Sequence, residues 1–491
     1  MLLRRKAIAP LPPGPRRKPL IGNLLDVPFN NPWAVFEAWR KKYGDVVYLN
    51  ILGNKIVILN SLDAIVDLFE RRAGSYSHRP VFTMVGELMG LDMAIGLNNR
   101  DKVWRQQRRL TALILGPAGI KQYIPLQERL ATLLVAELQE SPEDFAGLFN
   151  LMENSVIIYC PDTFKVANSV YPQIIKECEE TFVLVSQSIQ YGAYLLDFLP
   201  WLKHVPAWVP FSPHSFAASG KARILSTVRR PFQFVEDEMK KGTAKPSLVS
   251  HLLSNRSDVE GLDFENILAW AAGTMYGAGA ESTSATLTSF LLAMAVHPDV
   301  QTRAQEELDQ LLKNKRLPTM EDRAALPYLC AVIKESMRWH VALPLSLVRT
   351  ADKDDVYNGH LIPKGAIILP NVRGIAGEGD YLTEFSPERH MREATGVGQD
   401  IDPYAYAFGF GRRACPGQYL AENSLFIFAA SILTAFKITN AVDSEGKTIP
   451  IVPRFVPGLI SNPEPFKCSI IPRTPATRKL IANELLASST T

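Results

Sequence analysis

Of the five cysteines in this 491-residue chain, at positions 160, 178, 330, 415 and 468, one stands in a setting that suits chemistry. It is Cys415, within Phe408-Gly409-Phe410-Gly411-Arg412-Arg413-Ala414-Cys415-Pro416-Gly417. Gly409 and Gly411 permit a tight turn that holds the cysteine, and Pro416 suits the first position of a helix running on through Tyr419 and Leu420. A cysteine at a helix N-terminus beside Arg412 and Arg413 has its thiolate favoured by the helix dipole and by the two cations, which is how a protein presents an anionic sulfur to a metal. An isolated cysteine is more often core filler; the full spacing Phe-x-x-Gly-x-Arg-x-Cys-x-Gly reverses that preference. A second candidate lies upstream. Across 267–296 the only charged residue is Glu281, preceded by Gly273, Gly277 and Gly279 and followed by Ser282, Thr283, Ser284, Thr286, Thr288 and Ser289. The stretch is long enough to cross a bilayer but too polar in its middle for lipid, so it reads as a helix through a protein core. Its glycines let the backbone approach something flat or bulky, and a buried acid beside hydroxyls points to proton handling.

These segments resemble the cytochrome P450 family of haem-thiolate monooxygenases. Phe408, Gly411, Arg413, Cys415 and Gly417 match the family's haem-binding signature without a gap, and further motifs follow in family order from the Pro-rich hinge at Leu11 to the segment beyond Val456. The resemblance implies haem b as cofactor, with Cys415 the proximal iron ligand whose thiolate favours O–O cleavage. It also implies that Arg413 pairs with a haem propionate, and that Trp104 and Arg108 of Trp104-Arg105-Gln106-Gln107-Arg108, together with Arg349, reach the propionates; guanidinium forks suit carboxylates. Phe408 and Gly417 complete the implied cofactor-binding set. Ala278-Gly279-Ala280-Glu281-Ser282-Thr283 resembles the oxygen-activation segment, which implies proton delivery by Glu281 and Ser282, with Thr283 able to share the work. Serine stands there in place of the usual threonine, keeping the hydroxyl but losing the methyl that restricts its rotamer. Glu335 and Arg338, three apart on one helix face, are implied to join Arg389 in a fold-locking triad whose role is structural. One stretch departs from the family, 371–379, where the usual Trp and Pro are missing and three glycines appear. A more mobile connection is expected there.

The elements that must position these residues are mostly helical. Amphipathic patterns cover 32–43, 62–72, 100–115, 120–140, 172–195, 219–241, 264–296, 298–313, 326–340 and 417–437, a hairpin broken at Gly53-Asn54 spans 46–59, and short β-like pieces fall in 345–370 and 449–470. The expected fold is mainly α (α+β): a large helical domain with small β-sheets and, from the resemblance, a long central helix over the haem. No repeat or flexible linker divides it, so 31–491 reads as a single catalytic domain after a basic, Pro-rich segment, 1–30. That segment carries Arg4, Arg5, Lys6, Arg16, Arg17 and Lys18 and no acid before Asp26. It is the pattern expected just cytoplasmic of a membrane anchor missing from the sequence, or else of a soluble protein with a basic tail. Composition is ordinary globular, 47% hydrophobic and 21% charged, which excludes disordered and low-complexity classes. The net charge of +3 is too balanced for a nucleic-acid binder. Cysteines odd in number and never in a CxxC pair argue against a disulfide framework or structural zinc, and for a reducing compartment.

Positions matching the family's substrate-contacting regions are apolar: Phe82, Met84, Leu88, Met89, Met93, Tyr276, Leu343, Leu345, Leu347, Val456, Leu459 and Ile460. They argue for a lipophilic substrate without a strong charge. The resemblance further implies O2 and NADPH-cytochrome P450 reductase as partners, the cytoplasmic face of the endoplasmic reticulum as location, and kinship with fungal enzymes of secondary metabolism or xenobiotic oxidation. Lys102, Arg105 and Arg109 could form a basic patch for an acidic electron donor. The Pro-rich passage 200–213, with Trp201, Trp208 and Phe211, could dip into a membrane interface or pack over the core. Two rivals remain: a protein of the same fold that uses peroxide, or isomerises or dehydrates its substrate, without a reductase, and a haem-binding sensor without turnover. Retention of Glu281 and Ser282 favours the monooxygenase.

Overall fold

Prolines in first turns, hydroxyl and carboxylate caps and glycine stops divide the chain into its elements. The computed structural model describes residues 9–28, 31–99, 101–158, 171–190, 192–210, 212–244, 247–255, 263–377, 384–391 and 401–489. Helix α1 (Pro32–Tyr43) leads into β1 (Val46–Ile51) and β2 (Asn54–Leu59), and α2 (Leu62–Val66) continues as a wider turn over Asp67–Arg71. Next come α3 (Asp101–Leu115), α4 (Ile124–Glu140), α5 (Phe145–Ile158), α6 (Tyr171–Ser188), the single turn α7 (Leu195–Phe198), α8 (Pro213–Lys241), α9 (Leu248–Ser254), α10 (Phe264–Val296), α11 (Pro298–Leu312) and α12 (Pro327–Trp339). The last part holds β3 (Arg349–Thr350), β4 (Asp355–Tyr357), β5 (His360–Ile362), β6 (Ile367–Pro370), α13 (Val372–Ala376), α14 (Tyr404–Ala407), α15 (Gln418–Ala435), β7 (Phe436–Asn440), β8 (Phe455–Val456), β9 (Asn462–Pro463), β10 (Cys468–Pro472) and α16 (Pro475–Ser489). The mainly helical architecture with small sheets expected from the sequence is the one observed.

Local chemistry accounts for most boundaries. Asp263 starts α10 by accepting the Asn266 amide (3.1 Å), and Gly242, in the left-handed region, ends α8. The hairpin turn falls at Leu52-Gly53, one residue earlier than expected, because both take positive φ (50° and 87°), as a two-residue loop matching strand twist requires. In the four-stranded sheet, ordered β1-β2-β6-β3, the β2–β6 pair is parallel and its neighbours antiparallel. Helices α5 and α16 are among those that escape the amphipathic pattern. In α5, Phe149, Met152 and Val156 are wholly buried and apolar residues occupy nearly every side, so no polar stripe marks it. In α16 the stripe is weak, though Ile481 is buried; the helix packs on α4. The C-terminal residues expected to extend the helix of 417–437 instead enter β7, which pairs with β10.

Helix α10 spans 33 residues, on the order of 50 Å, and packs against α3, α5, α8, α12 and α15. Its buried face carries Leu287, Leu291, Leu292 and Met294. Two glycines expected to admit something flat are filled by neighbours: a side chain at Gly277 would collide with the Phe182 ring of α6, and one at Gly273 would press on Val228 of α8. No helix among the described residues is long and apolar enough to cross a membrane.

Candidate active site

Turn chemistry places the cysteine. Gly409 (φ +73°) and Gly411 (φ +54°) both sit in the left-handed region, and a side chain at Gly411 would meet the Phe69 carbonyl oxygen at 2.4 Å, so glycine is required. The Cys415 amide donates to the Phe408 carbonyl (2.7 Å), closing the loop. Pro416 lies in a turn before the helix, which begins at Gln418 with Gly417 as its cap; Cys415 therefore precedes the helix by three positions instead of starting it. The thiol opens into a cavity of about 390 Å³ deep in the protein. Burial pushes it up, and the Gly417 amide and the Arg108 cation oppose that shift. Arg108 is the guanidinium that faces the thiol, donating also to the Ala414 carbonyl (2.7 Å). The two flanking arginines, expected to favour the thiolate, lie otherwise. Arg412 is exposed, and Arg413 turns to the carbonyls of Ser77 (2.8 Å) and Asn98 (2.9 Å), its guanidinium 4.5 Å from the Trp104 ring centre.

All the expected site residues border this one cavity: Trp104 and Arg108 on α3; Glu281, Ser282 and Thr283 on α10; Arg349 on β3; and Phe408, Arg413, Cys415 and Gly417 around the loop. Arg349 is almost fully buried, donates to the Phe410 carbonyl (2.7 Å) and stacks 3.9 Å above the Phe69 ring centre. Burial and the nearby Arg413 push it down to about 9. A fourth cavity arginine escaped the sequence reading. Arg79 donates to the carbonyls of Gly96, Leu347 and Val348, each at 2.7 Å, and burial together with Arg349 and Arg413 holds it well below the usual guanidinium range. The signal available was a lone basic residue in Ser77-His78-Arg79-Pro80, which periodicity does not register.

Three guanidiniums that repel one another, two of them buried, suit an anion of two charges. Haem fits: two propionates for the arginines, iron for the single thiol, and a flat apolar ring for the walls. Cys415 offers one thiol ligand at the cavity, and a haem ring would supply the rest. Arg79→Leu is expected to weaken haem retention about tenfold, since a hydrogen bond to a charged group is lost. Transfer of haem to an apo-globin trap measures this; wild-type retention would mean that Arg79 serves only the three carbonyls.

Glu281 is pushed up to about 7 by burial alone. The Ser282 hydroxyl donates to the Ala278 carbonyl (2.9 Å) and Thr283 to Gly279 (3.0 Å), so each keeps its oxygen available as an acceptor. A second cavity acid, Glu153 on α5, hydrogen-bonds Ser424 and is pushed by burial to about 8. The substrate-facing expectations divide. Leu343, Leu347, Leu459 and Ile460 border the cavity, whereas Phe82, Met84, Leu88, Met89, Met93, Tyr276, Leu345 and Val456 do not. The turn over Thr83–Leu88 packs beneath α8, with Met89 against Gly220, and Tyr276 packs on Phe182; in their stead Leu91, Ala94, Ile95 and Leu97 reach the cavity.

The buried pair behind the site is bidentate. Arg338 Nε and Nη2 each donate to Glu335 at 2.8 Å, and Arg389 (3.2 Å), His390 (2.9 Å) and the Ser386 amide (2.8 Å) converge on the same carboxylate. His390 adds a fourth side chain to the expected triad. The described part of the departing stretch, 371–377, holds a buried short helix. Asn371 caps it at the Gly374 amide, where a larger residue would strike the cap, and Arg373 closes the end of α12 by donating to the Arg338 and Trp339 carbonyls. Glu378 and Gly379 lie outside the described residues.

Comparison with known proteins agrees with this geometry. The family profile described as Cytochrome P450 matches residues 12–470. Cytochrome P450 monooxygenase claR of Ampulloclitocybe clavipes is 36% identical over 481 residues, covering 96% of this chain and 88% of that protein. Cytochrome P450 monooxygenase 208 of Postia placenta is 37% identical over 486 residues (97% and 93%), and monooxygenase ppsD of Aspergillus oryzae 34% over 490 (98% and 92%).

Proposed function

The chain belongs to the cytochrome P450 family and is a monooxygenase of it, and from that premise we propose that it oxidises a lipophilic small molecule with O2 and electrons from an NADPH-dependent cytochrome P450 reductase. Cys415 would hold haem b, with Arg79, Arg349 and Arg413 placed to receive its propionates, and the bound group would supply the oxygen activation. The observation that carries the reading is that the thiol and the set Glu281, Ser282 and Thr283 border one cavity whose remaining walls are largely apolar. Apolar walls favour a ligand that loses little by leaving water. With its carboxyl titrating near 7, Glu281 can both take and give a proton at neutral pH. Ser282 passes a proton on by rotating its hydroxyl off the Ala278 carbonyl, at a cost of about 1 kcal/mol.

Product formed per NADPH consumed tests these roles. In Glu281→Gln and in Ser282→Ala this ratio is expected to fall about tenfold or more with haem content unchanged. Because the Glu281 carboxyl loses its proton as pH rises through about 7, wild-type coupling should decline above that pH, and the decline should be absent in Glu281→Gln. An unchanged ratio in both variants would remove the two residues from proton delivery. Full turnover with peroxide, and none with reductase and NADPH, would favour the reductase-free rival.

The surroundings support the partner readings. Lys102, Arg105 and Arg109 are exposed on α3 and suit an acidic donor. Trp201 and Trp208 are 63% and 83% exposed, as interfacial aromatics would be, which supports placing the protein against the cytoplasmic face of the endoplasmic reticulum; Phe211 lies outside the described residues. We read 31–491 as one catalytic domain behind the basic, Pro-rich segment 1–30.

A further inference from the structure

We propose that Asp197 is a latch residue that ties together two chain segments leading to the cavity walls, and that it thereby sets how fast a ligand enters and leaves. One wall, Leu91 to Leu97, follows directly after the turn over Thr83–Leu88. Another is built by α6, whose Thr181, Phe182, Val185 and Ile189 border the cavity just before the chain passes through 192–204, including α7. Asp197 sits where the two connecting segments meet. It is 3% exposed, and its carboxyl accepts the Thr83 amide at 3.0 Å, 114 positions away in sequence. The Met84 amide, also on the far segment, and the Gly192 and Tyr194 amides on its own lie near enough to favour the ionised carboxyl. Gly192 holds φ +90° with the Phe198 ring where a side chain would stand, so the local turn needs glycine in order to present that amide.

A carboxylate is costly to bury unless donors surround it, and here amides of both segments face it, that of Thr83 in a hydrogen bond. Burial still outweighs them, pushing the group up to about 6, so the closed arrangement is held against an opposing cost. The other ties are weaker. Lys203 and Glu87 pair at 2.7 Å across the same junction but are partly solvent-exposed, where such pairs contribute little. Asn54 holds the Phe198 carbonyl at 3.1 Å from the β-hairpin side alone. The latch is independent of the reaction the cavity hosts.

Two variants separate latch from local support. Asp197→Ala removes the acceptor. Thr83→Pro leaves the carboxylate intact and deletes one donor, at a helical first position after Phe82, whose extended backbone (φ −90°, ψ 100°) proline accepts. In the haem-loaded protein both variants should raise hydrogen–deuterium exchange in 84–89 and in 192–199 together. Both should also speed association and dissociation of 4-phenylimidazole, followed by its shift of the Soret band, about tenfold. Faster exchange confined to the segment that carries the substitution, or ligand rates within twofold of wild type in both variants, would overturn the proposal. If Asp197→Ala does not fold, Thr83→Pro decides alone. A wild type that binds no imidazole would defeat the haem reading and leave the exchange comparison to decide the latch.

Discussion

Cys415→Ser is expected to fold, to lose monooxygenase activity to background and to lose the strongly red-shifted Soret band expected of the reduced wild-type protein with carbon monoxide. The expectation that it folds rests on what holds the loop. Gly409 and Gly411 supply the backbone conformation, the Cys415 amide is fixed to Phe408, and Arg108 is fixed to the Ala414 carbonyl. None of these uses the sulfur, so serine removes the soft anionic ligand and little else. Only the Gly417 amide, which hydrogen-bonds the sulfur, changes partner. A serine hydroxyl is far harder to deprotonate than a thiol and is a poor match for iron. Retention of the wild-type band by the variant would show that Cys415 is not the ligand, and the functional reading would fall with it.

Glu335→Ala is expected to remove a large share of the protein's stability. The carboxylate is completely buried and receives Arg338 through two bonds, Arg389, His390 and the Ser386 amide. Deleting it strands two guanidiniums in the interior, a loss of about 3–5 kcal/mol against a total that is typically about 5–15 kcal/mol. Arg338→Lys keeps the charge but not the planar fork, and should lose less. The acid limb gives a separate signature. Burial raises the Glu335 carboxyl, but His390 and Arg338 outweigh it and hold it below its ordinary 4.5. Its contribution is therefore present above about 4.5 and is lost as pH falls through the lowered native value. Thermal unfolding from pH 7 to pH 3 should show a steeper decline in wild type than in Glu335→Ala. A melting temperature for Glu335→Ala within about 1 °C of wild type, roughly 1 kcal/mol for a chain of this size, would sink the assignment.

The chain's local patterns picked out residues that border one cavity and much of where helices lie. Turn glycines, a proline and a cysteine at fixed spacing mark the ligand loop, and a lone acid in an apolar stretch marks α10, because both signals are complete within a few residues of sequence. Boundaries such as those of α10 and α12 follow from caps and prolines. Packing decided the rest. Helix α5 was illegible because a segment buried on nearly every side shows no stripe, and Arg79, His390 and Asp197 because their partners lie far along the chain. Two of the α10 glycines receive Phe182 and Val228, and the cation facing the thiol is Arg108 and not its sequence neighbours. Sequence spacing specifies what a segment can present to its surroundings. Which neighbour it meets depends on how buried faces close against one another, and that is a property of the whole fold.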